Sequence, residues 1–302
     1  MRALPIAYLV LAAVSFGATF CLNKLAAEGG IPPLAYAFWQ TGLSGLLLLV
    51  IALARGHRVP RNANALKVYV LVGVLGLGLP AALLTFVAPH LPAGLVTLVL
   101  ALSPPITFLL AVAFRLQAFL WLGLGGVALG FAGILVLVAP GSTALPSSEA
   151  LGWFALCLIA PCLYATANVS AAVFQPPSAD SVALAAGILL GAAAGLLPLA
   201  ALSGQLAWMP HGVGDAEIAI GLSIFIYAGF TWLFLEIVRM AGPTFFAQFN
   251  YLAIVAGLGW GWIIFLEPVQ ATTILALVLM VLGIVLLSVA NSRPAPAQMG
   301  TK

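Results

Sequence analysis

Charge is what this chain has least of. Only 6% of its 302 residues are Asp, Glu, Lys or Arg, ten basic against seven acidic, while 64% are hydrophobic. Soluble domains carry about 25% charged residues, so a surface facing water over most of the molecule is excluded and lipid must take its place. Cysteine and histidine are scarce as well, three of each. Cys21, Cys157 and Cys162 lie in apolar windows without Cys-x-x-Cys spacing, and His57, His90 and His211 are isolated. Neither a disulfide framework nor a metal site is expected. The basic residues form no run, which removes the footprint of nucleic-acid binding. No His-Glu-x-x-His, Gly-x-Ser-x-Gly or glycine-rich loop ending in Gly-Lys-Ser/Thr is present, so neither an enzyme nor a cofactor is expected.

Apolar runs fill the space that charge leaves. Windows of about 20 apolar residues, the length that crosses a bilayer core roughly 30 Å thick, predict ten spans. They are Pro5 to Ala27, Leu34 to Ala54, Val68 to Val87, Ala93 to Phe114, Phe119 to Ala139, Leu151 to Phe174, Val182 to Leu202, Ile218 to Met240, Thr244 to Leu266 and Thr273 to Ala290. The first is too long for the apolar core of a signal peptide and ends in Asn23-Lys24 rather than a small-residue cleavage site. The tail, residues 291–302, carries Pro294 and Pro296 and is expected to be disordered. With a cytoplasmic N-terminus, ten spans put Arg2, Arg55, Arg58, Arg61, Lys67, Arg115, Arg239, Arg293 and Lys302 inside and Lys24 alone outside. Cytoplasmic loops are the ones enriched in Lys and Arg, so both termini are expected to be cytoplasmic.

The fourth span is broken by its own sequence. Pro104 and Pro105 sit at its middle and lack the N–H groups that would serve the carbonyls of Leu100 and Ala101. Such a break is tolerated in lipid where side chains such as Ser103 and Thr107 help or where it lines a wet cavity. Structural kink and transport site both remain open as readings.

A weak internal repeat runs through the chain. Gly133-Ile134-Leu135 recurs 150 residues on as Gly283-Ile284-Val285, and Leu116-Gln117 as Leu266-Glu267. Near the first span the offset is close to 147, laying Ser15 to Leu25 over Cys162 to Ala172. The expectation is an all-α polytopic membrane protein built as two five-helix repeats, residues 1–147 and 148–302. Five is odd, so the second half enters the membrane inverted, an arrangement typical of secondary transporters.

On these features the sequence resembles the drug/metabolite transporter superfamily, and within it the ten-helix EamA-type exporters. The resemblance rests on the two five-span halves, Gly17-Ala18-Thr19-Phe20 in the first helix, the proline of helix 4, and Phe265 to Pro268 before a Gly-Ile-rich last helix. Phe38-Trp39-Gln40 is similar to bacterial aromatic amino-acid exporters. Relatives often carry an arginine in helix 2 and a glutamate after helix 4, where this chain has Trp39-Gln40 and Gln117. The resemblance implies export of neutral or aromatic amino acids and related metabolites across a bacterial inner membrane. A proton-coupled exporter of drugs or organic cations, a passive pore and a sensor are the alternatives. Oligomeric state is open, a monomer being compatible.

Polar side chains inside spans are costly unless paired or wet, and here they recur at helical spacing. Ser15, Thr19 and Asn23 share a face of helix 1, and Tyr36, Gln40 and Ser44 one of helix 2. Tyr164 and Asn168 are a turn apart in helix 6, as are Thr244, Gln248 and Tyr251 in helix 9. These faces are expected to converge with Ser103 and Thr107 on a central pathway, with Trp39, Tyr36, Tyr164 and Tyr251 as aromatic walls. Hydrogen bonds that merely join helices, worth about 0.6 kcal/mol each, are the competing reading. Lys24 is expected to snorkel to the interface. Glu236 is the one carboxylate well inside a span. Arg239 stands at i+3, so a structural ion pair is preferred over a coupling or gating role. Gly257 and Gly261 are expected to let helix 9 pack closely.

Overall fold

The computed structural model describes residues 3–139, 147, 149–174, 180–207, 214–241, 243–246 and 248–292. Among these the protein is helical, 86% overall, with no strand. Ten apolar helices account for it: α1 (Ala3–Glu28), α2 (Pro33–Ala54), α3 (Ala63–His90), α4 (Ala93–Ala113), α5 (Trp121–Val138), α6 (Ala150–Phe174), α7 (Ser181–Leu202), α8 (Asp215–Ala241), α9 (Phe249–Phe265) and α10 (Ala271–Ser292). Nine of them are long and apolar enough to cross a membrane, while α9 has 17 residues and is preceded by the separate turn Pro243–Phe246. Large apolar side chains such as Val50, Phe225 and Leu135, 65 to 66% exposed, stand on the outside of the bundle. A helix satisfies its backbone internally, so such a surface can face hydrocarbon.

Local chemistry fixes the helix starts. Asn62 caps α3 by accepting the Ala65 N–H at 2.8 Å, and Asp180 caps α7 with Oδ1 taking the N–H groups of Val182 and Ala183, both at 3.0 Å. Both residue types are favoured there because their oxygens satisfy orphan amides. Within α3, Tyr69–Gly78 is wound as a π-helix, a bulged form common at functional sites. The break in α4 falls at Ala101 and Leu102, whose N–H groups reach back three residues to Leu98 and Val99. Pro104 and Pro105 therefore lie in the first turn of the second segment, Ser103–Ala113. A proline N–H is not needed there, so the prolines restart the helix rather than kink it. A like interruption at Leu158 divides α6.

The helices pair as α5 with α10, α2 with α7, α1 with α8 and α9, α6 with α3 and α4, and α7 and α2 with α3 and α8 respectively. Exchanging each helix for the one five later maps these pairings onto themselves. Small residues make the seams, as helix association in lipid relies on close packing. Gly126 of α5 lies against Gly283 of α10, Gly45 of α2 against Leu190 of α7, and Gly17 of α1 against Gly257 of α9. Gly257 also meets Thr97 of α4, so α1, α4 and α9 pack closely on one another there.

Candidate solute pathway

Two polar centres and one ion pair punctuate the apolar interior. The first lies where the first half of α2 packs against α8, with α6 beside it. Tyr36 and Gln40 have no solvent exposure at all. Gln40 Nε2 donates to Tyr36 Oη at 3.2 Å, and a turn further on Ser44 Oγ donates to the Ile224 carbonyl of α8 at 2.7 Å. Tyr36 faces Ser223 and Tyr227 of α8, and Tyr227 in turn faces Tyr164 of α6. Gln40 Oε1 and Trp39 Nε1 are buried and find no hydrogen-bond partner among the described residues. Leaving such groups unmade costs about 1–3 kcal/mol each, which a bound polar solute supplying a donor and an acceptor would recover.

The second centre joins the broken α4 to α6. Thr107 Oγ1 donates to the Ser103 carbonyl at 2.7 Å and accepts from Asn168 Nδ2 at 3.3 Å. Ser103 is buried while Asn168 is exposed.

The ion pair closes the end of the bundle where α1 ends, α4 begins and α9 ends. Lys24 Nζ lies 2.9 Å from Glu267 Oε1 and 4.5 Å from the centre of the Phe265 ring, and both charged side chains are only 15% exposed. Glu267 also accepts the backbone N–H groups of Ala93, at 2.8 Å, and Gly94, at 3.0 Å. A carboxylate at a helix N-terminus is favourable on charge and on hydrogen bonding together. Lys24 therefore does not snorkel; it is held by a residue 243 positions away. Asn23, its neighbour, is 5% exposed, and its buried Oδ1 finds no hydrogen-bond partner among the described residues.

The remaining sequence candidates stand apart from these centres. Thr19 Oγ1 returns to its own helix at the Phe16 carbonyl, 2.6 Å away. Tyr251 Oη donates to Ser288 Oγ on α10 at 3.3 Å, and Gln248 is exposed. The Thr244 side chain, His211 and residues 293–302 lie outside the described residues. Glu236 is bound in two-point fashion by Arg239, through Nε at 3.0 Å and through Nη2. Of the α9 glycines, Gly257 and Gly261 are tightly packed while Gly259 faces open space. Trp260 Nε1 donates to the Val14 carbonyl of α1 at 3.0 Å, and Trp262 is 59% exposed. Sequence reading missed Ser223 and Tyr227. They are four apart with Thr231 next, the same spacing that drew attention to Tyr36 and Gln40.

Helices of this length, with buried amides and hydroxyls between them, define a polytopic helical membrane protein with polar groups in its interior. Residues 3–139, the part of the chain through α5, match the model of the EamA-like transporter family, so the first part of the chain is similar to that family. The chain is 34% identical to the uncharacterized transporter YvbV of Bacillus subtilis over 146 residues, 46% of this chain and 44% of that protein. It is 31% identical to the uncharacterized inner membrane transporter YedA of Escherichia coli K12 over 133 residues, 43% and 42% of the two chains. Both matches span less than half the relative's length. A longer match, 27% identity over 226 residues, 73% of this chain and 70% of the other, joins it to a probable terminal-alkyne amino-acid exporter of Streptantibioticus cattleyicolor. A solved crystal structure shares the fold, with TM-score 0.64 over 96% of this chain and 100% of the other at 18% identity.

Proposed function

We propose that the protein is a secondary transporter that exports neutral or aromatic amino acids and related metabolites across a bacterial inner membrane. The observation that carries this reading is the fully buried Tyr36–Gln40 pair, with polar atoms of Gln40 and Trp39 that find no partner among the described residues. Transporter sites lie near the bilayer midplane, and an amino acid brings both the donors and the acceptors that these groups lack. Tyr36, Tyr164 and Tyr227 supply aromatic walls.

Three observations support alternating access between two inverted halves. The helix pairings are unchanged by a shift of five helices. The chain turns back after α4 and after α9 with matching hydrogen bonds, Gln117 N–H to the Ala111 carbonyl and Glu267 N–H to the Gly261 carbonyl, both 3.3 Å. The exporter of Streptantibioticus cattleyicolor covers most of this chain. The excess of Lys and Arg supports cytoplasmic termini, which puts the Lys24–Glu267 pair at the outer face. With Glu236 engaged by Arg239, facilitated transport or exchange is favoured over proton coupling.

Counterflow in liposomes tests the proposal. Purified protein, with unlabelled amino acids inside and labelled tryptophan, phenylalanine, methionine or threonine outside at equal pH, should show saturable and selective uptake. Folded protein that moves none of the four would sink the amino-acid reading, and saturable movement of organic cations under a proton gradient would replace it.

A further inference from the structure

The α2–α3 turn and the start of α3 gather positive charge that the chain does not neutralise. Arg55, Arg58, Arg61 and Lys67 all belong to this stretch, and no Asp or Glu occurs between Glu28 and Glu149. All four cations are exposed. Among the described residues none of them forms an ion pair: Glu236 is held by Arg239, Glu267 by Lys24, and Asp180 faces His57 Nε2 at 3.7 Å. Lys67 Nζ lies 4.9 Å from the centre of the Phe174 ring of α6, which leaves three guanidinium groups on the turn itself. The turn is fixed in place. The His57 N–H reaches back to the Ala52 carbonyl at 2.9 Å, Asn62 caps α3, and Tyr69 Oη donates to the Pro60 carbonyl at 2.8 Å. Tyr69 is itself seated against α7, where Gly187 and Gly191 leave room for its ring and backbone.

Next to the cations the surface turns apolar. Val50 and Leu53 near the end of α2, and Leu66 and Val70 near the start of α3, are each more than half exposed. Arg55 follows Val50 by five residues, about 7.5 Å along the helix axis. That step is comparable to the headgroup layer of about 5–7 Å that separates hydrocarbon from water. We propose that this turn binds an anionic phospholipid, with the headgroup phosphate on the guanidinium groups of Arg55, Arg58 and Arg61 and the acyl chains along Val50, Leu53, Leu66 and Val70. A guanidinium offers phosphate two parallel N–H donors. A zwitterionic lipid brings a cation with every phosphate, so charge complementarity selects the acidic class, such as phosphatidylglycerol. A turn already held in place needs little ordering to accept it. Tyr69 and the His57–Asp180 contact tie the turn to α7, so a lipid held there secures α2, α3 and α7 against one another and its binding registers in stability.

Thermal melting of the full chain in neutral detergent tests this, with phosphatidylglycerol or phosphatidylcholine added at equal mole fraction. Phosphatidylglycerol should raise the melting temperature and phosphatidylcholine should not. One cation near an anionic surface changes affinity about fivefold. Arg58→Gln should therefore raise the half-saturating mole fraction of phosphatidylglycerol about fivefold, and the triple variant Arg55→Gln, Arg58→Gln, Arg61→Gln about 100-fold. Arg115, an exposed cation between α4 and α5, is the control, and Arg115→Gln should leave the midpoint within about twofold. Equal stabilisation by phosphatidylcholine, an unchanged midpoint in the triple variant, or an Arg115→Gln shift as large as that of Arg58→Gln overturns the proposal. Inorganic phosphate that stabilises as well as phosphatidylglycerol overturns the lipid assignment, because the apolar stripes would then contribute nothing. Should the triple variant fail to fold, wild type decides alone: raising NaCl from about 0.05 to about 0.5 M shortens the reach of the charges and should weaken the phosphatidylglycerol midpoint at least about tenfold, and a salt-insensitive midpoint overturns the proposal.

Discussion

The seam between α5 and α10 gives a prediction whose size follows from two distances. A Cβ placed on Gly126 would lie 2.5 Å from the Gly283 carbonyl oxygen, and one on Gly283 would lie 2.6 Å from the Gly126 oxygen. Cβ contacts under 3.0 Å are essentially never seen, so either alanine must push the helices apart by about 0.5 Å. Both obstructing atoms are backbone and cannot rotate away. Overpacking by a methyl costs about 1–3 kcal/mol, and in lipid no hydrophobic force pulls the separated helices together again. The two clashes are reciprocal, so the separation forced by Gly126→Ala already makes room for Gly283→Ala. The double variant should therefore cost about as much as the worse single one, a coupling of about 1–2 kcal/mol in a double-mutant cycle. Reversible unfolding in mixed micelles, followed by circular dichroism, measures it. Strictly additive costs, or either single variant within about 0.3 kcal/mol of wild type, would refute the reasoning.

Three further outcomes are expected. Gln40→Leu removes an unpartnered oxygen from a fully buried site, so it should raise stability by about 1 kcal/mol while abolishing counterflow. A gain in stability with transport intact would remove Gln40 from the pathway. Lys24→Met should cost about 3 kcal/mol because Glu267 is left with its charge, and the double change with Glu267→Gln should cost less than half of that, read by the same unfolding assay. Arg239 is 64% exposed, so Arg239→Ala should cost under about 1 kcal/mol and leave counterflow unchanged. Loss of counterflow in a folded Glu236→Gln variant would restore a coupling role to that carboxylate.

The helices were legible in the sequence because apolar length is a one-dimensional property. Nine spans begin or end within a few residues of the windows read from the chain. The largest departures are two starts, each off by five residues: α3, read at Val68, begins at Ala63, and α9, read at Thr244, begins at Phe249 after a separate turn, Pro243–Phe246. The π-wound middle of α3 was not legible, since its glycines fit an α-helix equally well. Of the polar stripes, spacing identifies which residues share a face but not which neighbour that face meets. Tyr36 and Gln40 meet α8, whereas Tyr251 has the same kind of spacing and meets Ser288. Lys24 was misread for the same reason: its partner lies across the bundle, and only helix packing brings α9 to α1.

The turns after α4 and α9 bear on direction. Arg115 and Leu266 both hold positive φ, 58° and 52°, a region that residues other than glycine seldom enter. Each turn then presents the side chain of the residue whose N–H reaches back six positions. At one turn that residue is Glu267, bonded to Lys24 and to the start of α4. At the other it is Gln117, a neutral amide whose Nε2 is buried without a partner among the described residues. Hydrogen bonds to an ionised group are about twice as strong as neutral ones. In the proposed two-half arrangement these turns lie at opposite faces, so the face of Gln117 opens without separating charges and the face of Glu267 does not.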